Sequence, residues 1–231
     1  MIVNFWYKKI SVTPEKAYKI VQSTVCKSFD KKRLMDFDEF IDHMTLLGQE
    51  YIRRGKIALL VKHSDEFVSK LEKLEDKKAG DYICILYSTL HKLLGNVQNN
   101  ILIHVLKKSL YYAKKQDDPV HIMARANSLR LLYKKYPQYS HRYSVMLHLE
   151  KKTLERICAD YPQAELKYKT VNKKILPLEN YKYMLALIKI EYSNNISKIK
   201  PERAKLEMLE ALEIMQTCKS LKSKHVLDYN T

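Results

Sequence analysis

The chain has 231 residues, of which 46% are hydrophobic; this composition excludes wholesale disorder and allows one large domain or two small ones. It contains only 4 glycines and 6 prolines, too few for the many tight turns of an all-β protein. The net charge of +16, from 42 basic and 26 acidic residues, favours acidic partners such as nucleic acid, an anionic membrane surface or an acidic protein. Lysine, isoleucine, tyrosine and asparagine all have AT-rich codons, so genome composition is a second explanation for part of this charge.

The N-terminal region predicts three helices after a token strand at residues 2–7. Thr13 and Pro14 have the residue types of a helix N-cap and first helical position, and a helix of about four turns should follow. Asp36 and Glu39 can form a capping box for a second helix that ends near Gly55. Its apolar residues recur at helical spacing, at Phe37, Phe40, Ile41, Met44 and Leu47.

A third helix is predicted from Lys56 to Glu75, with a break near Ser64. The polar stretch 75–81 then predicts a linker between two regions. We therefore expect an N-terminal helical region at 1–76, a second helical region at 81–219 and a flexible tail at 220–231, unless the two regions form one continuous domain.

The second region predicts a denser run of helices, punctuated by prolines. Segment 82–94 is apolar enough to be buried on several sides. Further helices are expected at 101–115, from the turn and helix start at 117–120 to Tyr136, and at 139–160, 163–175, 178–193 and 201–218. With nine or ten helices and short connections, the predicted class is all-α, built of antiparallel helical hairpins that either close into an irregular bundle or stack as a superhelix.

Residues 110–140 resemble the tetratricopeptide (TPR) family in its looser form. The matching features are a helix that ends in alanine, an acidic turn, small residues near the start of the next helix, and then leucines and tyrosines. They are found here at Ala113, Asp117, Asp118, Ala124, Ala126, Leu129, Leu132, Tyr133 and Tyr139. The resemblance implies a right-handed superhelix in which Ala124 and Ala126 lie at close helix–helix contacts and the larger residues reach the next repeat.

The match covers residues 101–160 and departs from the family pattern at two positions. Arg130 lies where the family often has glycine, and Arg142 where an alanine opens the next repeat. Segment 156–168 echoes segment 131–143 at an interval of about 25 residues, whereas the standard repeat has about 34. The pattern is therefore that of an irregular helical repeat.

No enzyme signature is present in the sequence. It lacks a glycine-rich phosphate loop, HExxH and G-x-S-x-G, so no catalytic residue, cofactor or metal site is predicted. The group Asp38, Glu39, Asp42 and His43 has the wrong spacing for a di-iron pair and is interpreted as an intrahelical Glu–His contact on a solvated face. His141 and His148 are too far apart on one helix to bind a metal together.

The cysteines and the hydropathy pattern predict a cytoplasmic protein. Cys26, Cys84, Cys158 and Cys218 are isolated, with no CxxC pair or disulfide framework. The N-terminal apolar run is too short for a signal peptide, and no stretch approaches the length of a membrane span.

The basic residues are concentrated in one part of the chain. Residues 91–149 contain ten basic and two acidic residues, a local net charge of +8 in about a quarter of the chain. The predicted polyanion-binding residues are Lys107, Lys108, Tyr111, Tyr112, Lys114, Lys115, Arg125, Arg130, Lys134, Lys135 and Arg142.

Helical geometry places the lysines of segment 107–115 on one side, with a tyrosine between them. That arrangement suits a phosphate backbone and a stacked base. Alternatively, Tyr111 or Tyr112 packs into the next helix and the lysines only solvate the outer face.

The sequence predicts a non-enzymatic interaction or adaptor protein that holds an acidic protein or peptide segment in a basic groove. The alternative is a nucleic-acid-binding protein that uses the basic 107–142 region. Partner identity and oligomeric state stay open.

Overall fold

A computed structural model describes residues 13–30, 36–74, 76–95, 99–163, 165 and 175–218. Within these ranges the chain forms nine α-helices of 16–20 residues, one 3₁₀ helix and a further helical segment at residues 161–163 and 165. These ranges contain no strand, so the predicted all-α class is confirmed. The predicted strand at 2–7 and tail at 220–231 lie outside the described residues, as does most of the predicted helix at 163–175.

The chain divides into two compact units, Met1–Gln116 and Asp117–Thr231. The described helices of the first unit are α1 (Pro14–Asp30), α2 (Phe37–Arg53), α3 (Ile57–Glu72), α4 (Lys77–Leu94) and α5 (Asn99–Lys115). The second unit contains α6 (Pro119–Lys134), a 3₁₀ helix (Pro137–Tyr139), α7 (Ser140–Ala159), α8 (Leu178–Ile196) and α9 (Pro201–Thr217).

Local capping determines where several of these helices begin. The carboxylates of Asp36, Asp76 and Asp118 accept hydrogen bonds of 2.7–3.1 Å from backbone N–H groups at the starts of α2, α4 and α6. Prolines occupy the first position of α1, α6 and α9, where a missing N–H costs nothing. Gly55 has a φ of +67° and lies just beyond α2, which agrees with the prediction that this glycine ends the helix.

Two expectations for the region around α3 and α4 were wrong. Residues 77–81 are not a linker, because Asp76 caps α4 and that helix begins at Lys77. There is also no break near Ser64, since α3 is continuous from Ile57 to Glu72. The Ser64 hydroxyl bonds back to the Leu60 carbonyl at 2.8 Å, and it lies 2.9 Å from the Tyr18 hydroxyl.

The core of the first unit forms around α4, which packs against α2, α3 and α5. The buried ring of Tyr82 on α4 meets the Phe40 and Phe37 rings of α2 edge-on, with centroids 5.1 and 4.9 Å away. These contacts join α4 to the N-terminal helices. The compact unit that contains these helices ends at Gln116.

The second unit is a row of helices in which α7 packs between α6 and α8, and α8 between α7 and α9. Its apolar core contains Met123, Leu147, Leu154, Ile157, Tyr181, Leu185 and Ile188. Ala126 on α6 is fully buried, whereas Ala124 is only half-buried. Of the two alanines expected at close helix contacts, Ala126 is thus the one enclosed.

Ala126→Leu should lower the free energy of unfolding by about 1–3 kcal/mol, because the added carbons overpack a closed contact. Ala124→Leu is the matched control and should cost less, since its side chain is partly exposed. Chemical denaturation of both variants checks this, and equal stability of Ala126→Leu and wild type would contradict it.

Candidate functional site

Helix α5 presents a cationic face with one aromatic ring at its centre. The helix contains no Asp or Glu, and Lys107, Lys108, Lys114 and Lys115 are all exposed. Tyr111, three or four residues from each lysine, is 57% exposed and is the helical neighbour of all four. We call these five residues the α5 lysine face.

The opposite side of α5 is buried in the first unit. Its enclosed apolar residues are Leu102, Ile103, Val105, Leu106, Leu110 and Ala113. Tyr112 is buried with them, and its ring stacks on Tyr87 of α4 with centroids 5.8 Å apart and an interplanar angle of 17°. Burial, together with a hydrogen bond to Glu72, raises the pKa of Tyr112 above its ordinary value. The two adjacent tyrosines therefore differ: Tyr112 is core and Tyr111 is surface.

Within the described residues, the α5 lysine face forms one ion pair with an acidic neighbour, at Lys115. Lys115 Nζ lies 3.4 Å from Glu72 Oε1 in an exposed ion pair, a class of contact worth about 0–1 kcal/mol. Asp65 accepts a hydrogen bond from Tyr87 and lies 3.1 Å from His104 Nε2. Lys107, Lys108 and Lys114 form no ion pair within the described part of the chain.

The second unit holds the other predicted cations in different environments. Arg125 is buried, and Arg130 is 6% exposed. Lys135 is exposed, and the Arg142 guanidinium lies 5.3 Å from the Tyr139 ring centroid. Six of the eleven predicted residues belong to the first unit and five to the second.

Arg130 belongs to an ion-pair network that joins α6, α7 and α8. Its Nε donates to Glu150 Oε2 at 2.7 Å and its Nη1 to Glu191 Oε2 at 2.6 Å. Glu191 also accepts from Lys134 at 2.8 Å and from Tyr143 at 2.7 Å. Burial raises the pKa of Glu150 to about 7, against the opposing pull of the Arg130 charge. Arg130, which departs from the TPR pattern, is thus a buried arginine that forms ion pairs within the unit.

A second buried network joins α7, α8 and α9 and was missed by the sequence analysis. Lys151 and Lys189 both donate to the Glu207 carboxylate, the latter at 2.9 Å, and Lys189 also donates to Glu210 at 2.5 Å. Lys151, Lys189 and Glu207 are all buried. The detectable signal was the position of Lys151, four residues from Leu147 and three from Leu154 on the apolar side of α7.

The first unit also has an open groove of about 540 Å³ between α1 and α3. It is lined by Tyr18, Lys19, Gln22, Ser23, Cys26, Lys27, His63, Glu66 and Lys70. Lys70 Nζ donates to Gln22 at 3.0 Å, and the Tyr51 hydroxyl lies 2.8 Å from His63 Nδ1. These polar groups are held by neighbours within the unit, and Glu66 offsets part of the lysine charge.

The group Asp38, Glu39, Asp42 and His43, which the sequence analysis rejected as a metal site, contains the predicted contact between Glu39 and His43 within one helix. Glu39 Oε1 lies 3.4 Å from His43 Nε2. The imidazole is buried rather than solvated, and this burial lowers the pKa of His43. Within the described residues, no group of three or more His, Cys, Asp or Glu side chains is placed to hold a metal ion.

In the part of the chain that the structure describes, no helix combines the length and the apolar character needed to cross a membrane.

Comparison of the chain with protein-family models, with curated proteins and with solved structures found no match.

Replacing the two adjacent tyrosines should separate surface from core. Tyr111→Ala should change the free energy of unfolding by no more than about 0.5 kcal/mol, because its ring lies on the surface. Tyr112→Ala should cost about 3 kcal/mol or more, since it empties a buried ring position beside Tyr87. Urea denaturation measures both, and a similar loss in the two variants would contradict the assignment.

Breaking the Arg130 network should unfold the second unit more readily. Arg130→Met leaves Glu150 buried without its guanidinium and should cost about 3–5 kcal/mol. Lys134→Met removes another partner of Glu191 from an exposed position and should cost less than about 1 kcal/mol. Thermal unfolding compares the two, and a mild effect of Arg130→Met would contradict the importance of the network.

Proposed function

We propose that this protein is a non-enzymatic interaction protein that holds an acidic segment of a partner protein on the α5 lysine face. The observation that carries the proposal is a helix without acidic residues that places four lysines around one exposed tyrosine. The cysteine pattern adds the prediction that this binding takes place in the cytoplasm.

The chemistry of these side chains suits an acidic peptide. A single exposed ion pair contributes about 0–1 kcal/mol, so four lysines act together in attracting several carboxylates rather than through one strong contact. The Tyr111 ring supplies the apolar contact area that such a charged surface otherwise lacks, and tyrosine is enriched among the residues that dominate interface energetics. Binding of this kind is salt-sensitive, because the charges that drive it are exposed.

An irregular TPR-like scaffold is the proposed context for this surface. Support comes from the second unit, where consecutive helices pack against one another and the motif residues Ala126, Leu129 and Tyr133 are buried. The motif at 110–140 begins in α5 and continues through α6 to α7, so the α5 lysine face lies on its first helix. The division between the two compact units falls in the turn of this motif, at Gln116 and Asp117.

Single-stranded nucleic acid is the second candidate ligand, and the exposed ring of Tyr111 favours it. A base can stack on the ring while neighbouring phosphates meet the lysines. Arg125 and Arg130 are buried and Lys134 pairs with Glu191, so the α5 lysine face itself would supply about four phosphate contacts. The logarithm of affinity should then fall with the logarithm of salt concentration with a slope of about −3.

The first test of the proposed function is charge reversal on the α5 lysine face. Lys107→Glu, Lys108→Glu and Lys114→Glu combined should abolish binding of a polyglutamate peptide, measured by fluorescence anisotropy at low and physiological salt. The matched control is the triple reversal of Lys62, Lys78 and Lys92, which are exposed in the same unit outside α5. The control carries the same net charge and should keep most of the affinity.

Tyr111→Ala then distinguishes the two ligand classes. For an oligothymidylate probe, loss of base stacking should weaken binding by about tenfold or more, with an unchanged salt slope. For polyglutamate the loss should be smaller, because the lysines supply most of the attraction. Absence of salt-sensitive binding to both probes, or an equal loss in the control triple variant, would refute the proposed function.

A further inference from the structure

The outer side of α9 carries three exposed leucines on a helix whose other side is packed. Leu206, Leu209 and Leu212 are 55%, 50% and 47% exposed. Ala204, Glu207 and Ala211 on the opposite side are buried, and α9 packs against α8. We call the three leucines the α9 leucine stripe.

Such a stripe differs from ordinary surface hydrophobic residues. Single exposed leucines need no explanation, whereas contiguous exposed apolar side chains mark contact surfaces. The other large exposed apolar residues on the described helices of this unit, Leu131, Val145 and Leu187, are isolated on α6, α7 and α8.

Opposite charges flank the centre of the stripe. Lys205 lies four residues before Leu209 and Glu213 four residues after it, and both are exposed. Neither side chain forms an ion pair with another residue in the described ranges. On a helix these three residues form one ridge, with Leu206 and Leu212 on either side of it.

We propose that the α9 leucine stripe binds the same stripe of a second copy of this chain, with the two α9 helices antiparallel and a two-fold axis passing at Leu209. This arrangement places Leu206 of each copy opposite Leu212 of the other. It also places Lys205 of each copy opposite Glu213 of the other, so the same ion pair forms twice. Self-complementarity of this kind is what a two-fold interface between identical chains requires.

The size of the surface determines the strength of the association. Helix α9 has 17 residues and is therefore about 25 Å long. A contact between two such helices is smaller than the standard protein interface of about 1,600 Å². The structure thus points to a weak, reversible dimer. Dimerisation goes beyond the proposed function, and each dimer would carry two α5 lysine faces.

Sedimentation equilibrium from micromolar to millimolar protein tests this proposal. Wild type should show a monomer–dimer equilibrium, and Leu209→Asp should weaken association at least about tenfold. Leu131→Asp is the matched control, because it alters an isolated exposed leucine on α6, and it should leave association unchanged. Thermal melts followed by circular dichroism check that Leu209→Asp and Leu131→Asp both stay folded.

Charge reversal tests the antiparallel register itself. Lys205→Glu or Glu213→Lys alone places like charges opposite each other twice and should weaken dimerisation several-fold. The double variant Lys205→Glu/Glu213→Lys restores both opposite-charge pairs and should return the dissociation constant to within about threefold of wild type. A wild type that stays monomeric, or a double variant that fails to recover, would overturn the proposal.

Discussion

The stacking of Tyr112 on Tyr87 determines which side of α5 faces solvent, and the candidate site depends on that rotation. Consecutive residues on an α-helix differ by about 100° around the axis, so burial of Tyr112 turns Tyr111 outward. The same rotation buries Leu106, Leu110 and Ala113 and exposes the four lysines. An apolar contact in the core of the first unit thus creates a charged surface outside it.

The second unit shows that a count of basic residues does not equal a count of surface charges. Arg130, Lys151 and Lys189 are cations enclosed between helices, where carboxylates from neighbouring helices surround them. Removing a partner from such a pair is costly, because the remaining charge stays buried. These residues link α6, α7, α8 and α9 through ion pairs, and their contribution to the net charge of the chain carries little information about ligands.

Local signals in the sequence predicted most helix boundaries correctly. Pro14, Asp36, Pro119 and Pro201 act within one turn of their own positions, and each lies where a helix begins. The failures involve residues whose environment depends on distant parts of the chain. Asp76 lies in a polar stretch that looked like a linker yet caps α4, and Ser64 looked like a helix break yet contacts Tyr18 on α1.

The candidate site was predictable only where it depends on local helical spacing. Helical spacing placed the lysines of α5 on one side without any tertiary information, but it could not distinguish Tyr111 from Tyr112. That distinction requires knowledge of where α4 packs. The burial of Arg130 depends on Glu150 and Glu191, which lie 20 and 61 residues further along the chain, and no local pattern reveals it.

The most direct test of the α5 lysine face is fluorine NMR of protein labelled with 3-fluorotyrosine, with the Tyr111 signal assigned from Tyr111→Phe. Addition of polyglutamate or oligothymidylate should shift or broaden the Tyr111 signal, and added salt should reverse the change. The Tyr112 signal should respond less, because its ring is enclosed against Tyr87. A Tyr111 signal that stays unchanged while the probe is bound would show that the polyanion binds elsewhere and would contradict the account.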